Sequence, residues 1–287
     1  MEQNQRPMVY AHRGASAAFA EHTRAAYLKA IADGADGVEC DVHLTRDQHV
    51  VLLHDANLDR TSDGTGPVAD RTLQELRQLD FSSWKGARIP EQYGAKSDQF
   101  LTLRDLLHIL RGASRTIGLA IELKHPSPYA LNLEDRVLEV LAAEGWDPET
   151  SKLGNIQVSF MSFSPDSVRY LLRSVPPEHI CQLVDEVSVE EIRDEFGLGV
   201  ITGGAVANMM KAAQQEGERI LDDGEVGLAG PGIDYVRKHA LTVQRWLESG
   251  RRFRVWTVDS EKDVALCQGL GIHEITTNKP AQVLAQL

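Results

Sequence analysis

Short apolar runs alternate with longer segments of helical periodicity along this 287-residue sequence, from one end to the other. Eight of the runs have the length of buried strands, and most of the gaps between them are long enough for a helix. These runs are residues 8–11, 37–44, 117–123, 157–160, 180–184, 226–229, 253–258 and 274–277. Because strands that alternate with helices pair in parallel, this order predicts an α/β fold, and eight units favour a (β/α)8 TIM barrel.

The competing architecture is an open, doubly wound sheet, which has the same alternation. Its dinucleotide-binding form carries a Gly-x-Gly-x-x-Gly motif after the first strand, and the sequence has none there. No internal repeat or low-complexity tract interrupts the pattern, so we expect residues 1–287 to form one barrel domain. The expected helices are residues 23–33, 103–110, 133–144, 165–173, 233–239, 261–270 and 280–287, with two more within 185–224.

One segment departs from the alternation. After the second barrel strand and a short extended run at residues 49–53, residues 55–100 are rich in Asp, Gly, Ser and Thr. Connections of this length are usually functional. We expect a small inserted segment that lies over the barrel mouth, where it excludes water or takes part in selecting the substrate. A surface elaboration and an oligomer contact are the alternatives.

The charge balance limits the ligands. The chain has 30 basic and 42 acidic residues, which gives a formal net charge of −12. Nucleic-acid-binding proteins normally present a basic face, so we expect no nucleic-acid partner. Because the overall field repels anions, an anionic substrate requires a local cluster of positive charge.

The sequence shows no membrane-spanning or signal-like segment and no cysteine motif. No apolar stretch is long enough to span a bilayer, and the polar residues 1–7 do not resemble a secretory signal. The three cysteines, Cys40, Cys181 and Cys267, are too widely spaced to indicate a disulfide framework or a zinc site. We expect a cytoplasmic protein without stable membrane insertion.

Carboxylates lie on two of the predicted strands at positions that a barrel directs towards its mouth. Glu39 and Asp41 are two residues apart on the second strand, so their side chains share one face. Glu122 lies near the end of the strand at 117–123. Three carboxylates at one rim are suitable ligands for one hard divalent cation, Mg²⁺ or Ca²⁺. The alternative for each is a solvated charge or a partner for a nearby lysine.

Two histidines and two basic residues each follow one of the predicted extended runs. His12 and His54 each come after an apolar run, and both suit general acid–base catalysis near neutral pH. Arg13 and Lys124 provide the local positive charge that an anionic substrate requires, and Arg binds phosphate through two donors. This combination indicates phosphate-ester chemistry.

These residues, in this order, resemble the glycerophosphodiester phosphodiesterase family. The resemblance covers nearly the whole chain and rests on His12-Arg13-Gly14, Glu21, Glu39-Cys40-Asp41-Val42, His54-Asp55, Leu58-Asp59-Arg60-Thr61, Gly64-Thr65-Gly66, Glu122-Leu123-Lys124, Trp256-Thr257-Val258 and Thr276 to Pro280. It implies a TIM barrel that hydrolyses glycerophosphodiesters, which are small molecules, to glycerol 3-phosphate and an alcohol.

The resemblance also implies a role for each matching residue. Glu39, Asp41 and Glu122 would bind the metal, and His12 and His54 would form the acid–base pair. Arg13 and Lys124 would hold the phosphate, with Glu21 near the metal and the glycerol end. Beyond what the resemblance implies, Trp256 and Phe160 are candidates for an apolar wall around the glycerol carbons, with barrel packing as an equal alternative for both aromatics. Which histidine is the acid, and whether water or the glycerol 2-hydroxyl attacks, stays open.

The sequence departs from the family pattern at two positions. His22 follows Glu21 where the family usually has Asn, and an imidazole can still donate a hydrogen bond there. Asn278 follows Thr277 where Asp is common, which changes a local cap or supporting contact. Residues 185–224 match no part of the pattern.

Other functions remain as alternatives. A related phospholipase-type phosphodiesterase would act on lipid headgroups, and a non-catalytic phosphate-ligand binder would keep the barrel without turnover. A nucleotide-binding dehydrogenase is disfavoured because the glycine motif is missing. A homo-oligomer is compatible with the sequence.

Overall fold

The structure is a computed structural model that describes residues 6–186 and 200–287. The strands in these ranges are β1 (Met8–Ala11), β2 (Gly37–Leu44), β3 (Val50–Leu52), β4 (Ile117–Leu123), β5 (Lys152–Leu153), β6 (Ile156–Ser162), β7 (Ile180–Val184), β8 (Leu228–Pro231), β9 (Arg252–Val255) and β10 (Glu274–Thr277). All except β3 and β5 form one parallel ring in the order β1-β2-β4-β6-β7-β8-β9-β10. Because β1 pairs with both β2 and β10, the ring is closed, and the predicted TIM barrel is confirmed.

Helices connect most of the barrel strands. Within the described residues they are α1 (Arg24–Ala32), α2 (Leu73–Leu76), α3 (Leu103–Arg111), α4 (Asn132–Ala143), α5 (Pro165–Leu171), α6 (Val200–Asp223), α7 (Ile233–Lys238), α8 (Ala240–Glu248), α9 (Glu261–Gly269) and α10 (Pro280–Leu284). Of the two helices expected in residues 185–224, α6 is one, and the other falls outside the described residues. Helix α8 was not predicted, and it buries Val243 and Trp246. No described helix combines the length and the apolar composition that crossing a bilayer requires.

Strand β2 shows how the sequence separates the core from the site. All eight of its residues are buried. Val38, Cys40 and Val42 belong to the large apolar core between the barrel and its helices. Because side chains alternate along a strand, Glu39 and Asp41 lie on the opposite face, inside the barrel.

A buried ion pair lies within the barrel. The guanidinium of Arg254 stacks over the Tyr10 ring at 4.4 Å. Its Nε donates to Glu274 Oε2 at 2.7 Å, and its Nη2 donates to Ser159 Oγ at 3.0 Å. Arg254 is 1% and Glu274 2% exposed, so the Arg254 cation depends on this carboxylate for compensation, while Glu274 also pairs with the more exposed Arg252 at 2.6 Å.

We expect Glu274→Gln to lower the free energy of unfolding by about 3–5 kcal/mol, since it leaves the buried Arg254 cation without its carboxylate. Urea denaturation measures this loss. The double variant Arg254→Met, Glu274→Gln is the control and should recover part of the stability, because no uncompensated charge is then buried. A loss under about 1 kcal/mol in the single variant would contradict the expectation.

The segment between β3 and α3 contains α2 and several short turns of 3₁₀ helix. It forms a small apolar core with the end of β3, consisting of Val51, Leu53, Leu58, Val68, Leu76 and Phe81. It also contacts the loop between β1 and α1, where Tyr93 packs edge-on against Phe19 at 5.7 Å. The Gln99 side chain accepts a hydrogen bond from the backbone N–H of Ala25, in the first turn of α1. The segment therefore packs against the loop that carries part of the candidate site.

Candidate active site

Four neighbouring elements bring the candidate residues together. Strand β2 contributes Glu39 and Asp41, and β4 contributes Glu122, whose Cα is the register partner of Asp41. The loop after β1 contributes His12 and Arg13, while the chain after β3 contributes His54. All of these lie at the carboxyl ends of the strands, which is where barrel enzymes have their active sites.

The loop after β1 turns sharply to present its residues. Gly14 has a φ of 81°, and a Cβ there would lie 2.7 Å from the backbone carbon of Ala26. Arg13 and His22 also have positive φ values, 56° and 60°. Such conformations are costly for side-chain-bearing residues and often occur at functional sites.

The three predicted carboxylates form one cluster. Glu39, Asp41 and Glu122 are buried, and each offers an oxygen within 4.8 Å of the other two. Burial, followed by the charge of Asp41, raises the pKa of Glu39 well above its usual range. Burial likewise raises the pKa of Glu122. Burial would also raise the pKa of Asp41, but Lys124 and Arg13 hold it well below its usual range.

This cluster fits a hard cation. Glu39 Oε1 and Asp41 Oδ1 are buried and have no hydrogen-bond partner. Unpaired buried carboxylate oxygens are unfavourable unless a positive charge compensates them. Oxygen donors of this type suit Mg²⁺ or Ca²⁺ rather than a soft metal. The carboxylates predicted from their positions on two strands therefore meet, and they could hold a metal ion.

Arg13 and Lys124 supply positive charge at the same place. The Arg13 backbone N–H donates to Glu39 Oε2 at 2.9 Å, and Arg13 Nε lies 3.0 Å from Asp41 Oδ2. Lys124 Nζ lies 2.8 Å from Glu122 Oε1 and 3.6 Å from Asp41 Oδ1. An acidic protein thus has a local cationic pair beside its carboxylate cluster, as an anionic substrate requires.

His12 is held from the last strand of the barrel. Its Nδ1 lies 2.8 Å from Asn278 Oδ1, an amide oxygen that can only accept. Asn278 Nδ2 in turn donates to Asp259 Oδ2 at 2.6 Å. His12 Nδ1 is therefore the protonated nitrogen, and Nε2 lies 4.0 Å from Glu39 Oε2. Burial and the charge of Arg13 lower the pKa of His12 to about 3, so the ring is neutral near pH 7.

The amide at position 278 thus defines the tautomer of His12. The sequence departs from the family pattern at this position, and the supporting contact that this departure affects is the hydrogen bond to His12.

His54 is held by its neighbour in sequence. Its Nδ1 donates to Asp55 Oδ1 at 2.7 Å. His43 Nε2 donates to the His54 carbonyl oxygen at 3.1 Å and so fixes the backbone. The backbone N–H of Leu53, the residue before His54, donates to the Asp41 carbonyl oxygen at 3.2 Å, so the chain that carries His54 runs beside the candidate residues of β2.

His22 provides the hydrogen bond that the sequence allowed for. Its Nε2 donates to Asp41 Oδ2 at 2.9 Å, and its Nδ1 lies 2.9 Å from the Tyr27 hydroxyl. The imidazole is 5% exposed. The histidine found where the family has Asn therefore contacts a candidate metal ligand directly.

Glu21 lies at the edge of the cluster, where Arg13 Nη1 donates to its Oε1 at 3.1 Å. Arg60 donates to both of its oxygens, at 2.7 and 3.0 Å. Arg60 was not predicted as a site residue, because its contacts depend on how the segment after β3 folds back.

Of the two roles left open for Phe160, the structure shows barrel packing. Phe160 is fully buried and packs edge-on against Trp146 at 5.7 Å, so it serves the core and does not line the mouth. Trp256, which follows β9, packs edge-on against Phe163 at 5.7 Å, and Phe163 is 37% exposed. Side chains alternate along β6 and its extension, so Phe163 lies on the face opposite to Phe160.

Glu21 predicts a specific acid response. Burial would raise its pKa, yet the bonds from Arg60 and the charge of Arg13 lower the pKa of Glu21 to about 2. A pKa depressed in the folded state stabilises the protein above the unfolded value of about 4.5 and loses that contribution as the pH falls towards 2. We expect Glu21→Gln to make the free energy of unfolding fall less steeply over this window, by up to about 3 kcal/mol.

Urea denaturation between pH 5 and 2 tests this expectation. Glu248→Gln, which alters an exposed carboxylate, is the control and should follow the wild-type curve. A Glu21→Gln curve parallel to wild type would show that the expectation is wrong.

Comparison with known proteins identifies the family of this chain. A model of the glycerophosphoryl diester phosphodiesterase family matches residues 12–282. The chain is 34% identical to a probable glycerophosphodiester phosphodiesterase 1 of Mycobacterium tuberculosis (strain ATCC 25618 / H37Rv), over 98% of this chain and 92% of that protein. It is 32% identical to the putative glycerophosphodiester phosphodiesterase YhdW of Bacillus subtilis (strain 168), over 95% of this chain and 94% of that protein.

Solved structures share the fold. A phosphodiesterase of Oleispira antarctica, in complex with the product sn-glycerol-3-phosphate, has a TM-score of 0.70 and 23% identity, over 98% of this chain and 96% of that one. A glycerophosphodiester phosphodiesterase of Thermotoga maritima has a TM-score of 0.68 and 20% identity, over 99% of both chains. The family match and the relatives together show that this chain belongs to the glycerophosphoryl diester phosphodiesterase family.

Proposed function

We propose that this member of the family hydrolyses small glycerophosphodiesters to glycerol 3-phosphate and an alcohol, with a divalent cation on Glu39, Asp41 and Glu122 and with His12 and His54 as the acid–base pair. The observation that carries the proposal is the cluster of three buried carboxylates beside two oriented histidines. The product held by the Oleispira antarctica phosphodiesterase supports the choice of glycerol 3-phosphate.

The cation would be Mg²⁺ or Ca²⁺. When bound, it supplies Lewis-acid stabilisation of charge on the phosphodiester oxygens. The protein contributes one buried oxygen each from Glu39 and Asp41 that has no hydrogen-bond partner, with Lys124 3.6 Å from the Asp41 oxygen. His22 and Arg13 contact Asp41 from two sides and so restrict the orientation of its carboxylate.

Arg13 and Lys124 would bind the phosphodiester anion. Arg offers a planar fork of donors, whereas Lys offers a point charge. Because both side chains already contact the carboxylate cluster, they hold the phosphate beside it. Glu21, which Arg13 contacts, would accept hydrogen bonds from the glycerol hydroxyl groups.

The two histidines would move the protons. Each ring has Nδ1 bonded to an oxygen acceptor, so Nε2 is the nitrogen available for transfer. One ring accepts the proton of the attacking hydroxyl group, and the other donates a proton to the departing alkoxide. His12 is neutral near pH 7, which suits the role of the base.

Trp256 and the segment after β3 would shape the pocket. Trp256 and Phe163 offer an apolar surface at the mouth, which would contact the glycerol carbons. Residues 55–100 reach the site through Arg60 and pack on the loop after β1. We propose that this segment forms one wall of the mouth.

An assay of glycerol 3-phosphate release tests the function. Glycerophosphocholine, glycerophosphoethanolamine, glycerophosphoinositol and glycerophosphoglycerol are each supplied with Mg²⁺, with Ca²⁺ or with EDTA. We expect release with at least one cation and none with EDTA. Release of the intact phosphorylated alcohol, or no turnover with any diester, would contradict the proposal, and cleavage of phospholipid vesicles alone would support the phospholipase alternative.

A further inference from the structure

Arg60 joins two carboxylates that lead to different parts of the site. Its guanidinium donates to both oxygens of Glu21, at 2.7 and 3.0 Å. It also donates to both oxygens of Asp55, at 2.6 and 2.9 Å. One side chain from the segment after β3 thus makes four charge-assisted hydrogen bonds, which are the stronger kind in proteins.

The first connection leads to His54. Asp55 Oδ1 accepts from both Arg60 Nη2 and His54 Nδ1. The hydrogen bonds from His54 and Arg60 lower the pKa of Asp55 despite its partial burial, so Asp55 is an ionised carboxylate at neutral pH. Arg60 therefore fixes the acceptor that determines how the His54 ring is oriented.

The second connection leads to the phosphate side. Glu21 Oε1 accepts from both Arg60 Nη2 and Arg13 Nη1. Arg13 then contacts Asp41 and Glu39. Without Arg60, the carboxylates of Glu21 and Asp55 would face each other without the cation that now lies between them.

We propose that Arg60 is a positioning residue. Its single guanidinium orients His54 through Asp55, and it also orients Glu21 and, through Glu21, Arg13. The inference rests on the proposed function, because it takes His54 as an acid–base residue and Glu21 as part of the glycerol pocket. It assigns to the inserted segment a specific part in assembling the site.

The geometry requires arginine. A lysine ammonium cannot bond both oxygens of two carboxylates at once, because it lacks the planar fork. The Arg60 side chain is 44% exposed, so replacing it opens no cavity in the core and removes no more than the stabilisation that it gives to the Glu21 and Asp55 carboxylates. A variant at this position should therefore stay folded while the site loses its alignment.

Steady-state kinetics of Arg60→Ala test the inference. Displacing a reacting group by about 1 Å costs about 100-fold, so we expect kcat to fall about 10–100-fold and KM to rise several-fold. Arg60→Lys should lie close to Arg60→Ala. Arg46→Ala is the matched control, since Arg46 pairs with Glu75 on the same part of the chain, is exposed and lies outside the site.

Double-variant cycles separate the two connections. In an Asp55→Asn background, adding Arg60→Ala should lower kcat by less than about 2-fold, because the route to His54 is already broken. In a Glu21→Gln background, adding Arg60→Ala should leave KM almost unchanged for the same reason. Full additivity in both backgrounds would overturn the proposal.

Two further measurements exclude a merely structural role. Added guanidinium ion at non-denaturing concentration should restore part of the kcat of Arg60→Ala and leave wild type unaffected. The ¹⁵N signals of the His54 ring should show a single Nδ1–H tautomer in wild type and a mixture in Arg60→Ala. Wild-type kinetics in Arg60→Ala would overturn the role of Arg60, whereas normal turnover in His54→Ala would instead overturn the proposed function.

Discussion

Replacing either histidine by alanine is expected to lower kcat by at least about 10²–10⁴-fold, the usual contribution of a positioned acid or base. His12 and His54 each have Nδ1 fixed by an acceptor, so each ring offers one defined nitrogen to the substrate. Because both side chains are partly exposed, 16% for His12 and 24% for His54, the variants should stay folded. Glycerol 3-phosphate release by the purified variants measures the effect.

The control for this experiment is His49→Ala. His49 has a side chain that is 53% exposed and contacts Asp47 away from the carboxylate cluster. It should keep wild-type turnover, and all variants should show the same circular dichroism spectrum. Near-normal turnover in both His12→Ala and His54→Ala would eliminate the acid–base pair.

The second large effect is expected at the carboxylate cluster. Asp41→Asn, Glu39→Gln and Glu122→Gln should each raise the cation concentration needed for half-maximal activity. Partners that only support a metal ligand contribute about 10–100-fold to affinity, so loss of a ligand should cost at least as much. Asp41→Asn should have the largest effect, since Lys124 and Arg13 keep the pKa of Asp41 low and its carboxylate ionised.

Thermal unfolding gives a readout that is independent of activity. A cation that binds only the folded state raises the melting temperature, so wild type should be stabilised by Mg²⁺ or Ca²⁺ and the variants much less. With EDTA present, Glu39→Gln should be more stable than wild type, because burial and the charge of Asp41 make the Glu39 carboxyl group unfavourable in the folded state, as its raised pKa shows. Glu139→Gln, which changes an exposed carboxylate, should behave like wild type in both conditions. Equal cation stabilisation of wild type and Asp41→Asn would contradict the metal assignment.

The sequence predicted the barrel and most of the site because both follow local rules. Alternating strands and helices specify a parallel sheet, and a two-residue spacing directs Glu39 and Asp41 to one face. His12 and Glu122 were predicted as site residues because they lie at strand ends, and the structure places both beside Glu39 and Asp41.

Other parts of the candidate site could not be predicted from local sequence patterns. Asn278 supports His12 from 266 residues away, and no local pattern encodes such a contact. Phe163 was not considered from the sequence; it directly follows β6, which ends at Ser162, and its ring packs edge-on against Trp256. Arg60 contacts Glu21 across 39 residues through a loop whose path depends on its own small apolar core.

The sequence by itself therefore determined the closed parallel barrel and the identity of the charged groups at its mouth, since periodicity and strand spacing are properties of neighbouring residues. Only the tertiary structure decided which nitrogen of each histidine is free of a hydrogen-bond acceptor and which carboxylate oxygens lack hydrogen-bond partners. It also decided that Arg60 connects Glu21 with Asp55. These features depend on distances between groups far apart in the chain, and those distances are set by how the whole barrel and its inserted segment pack together.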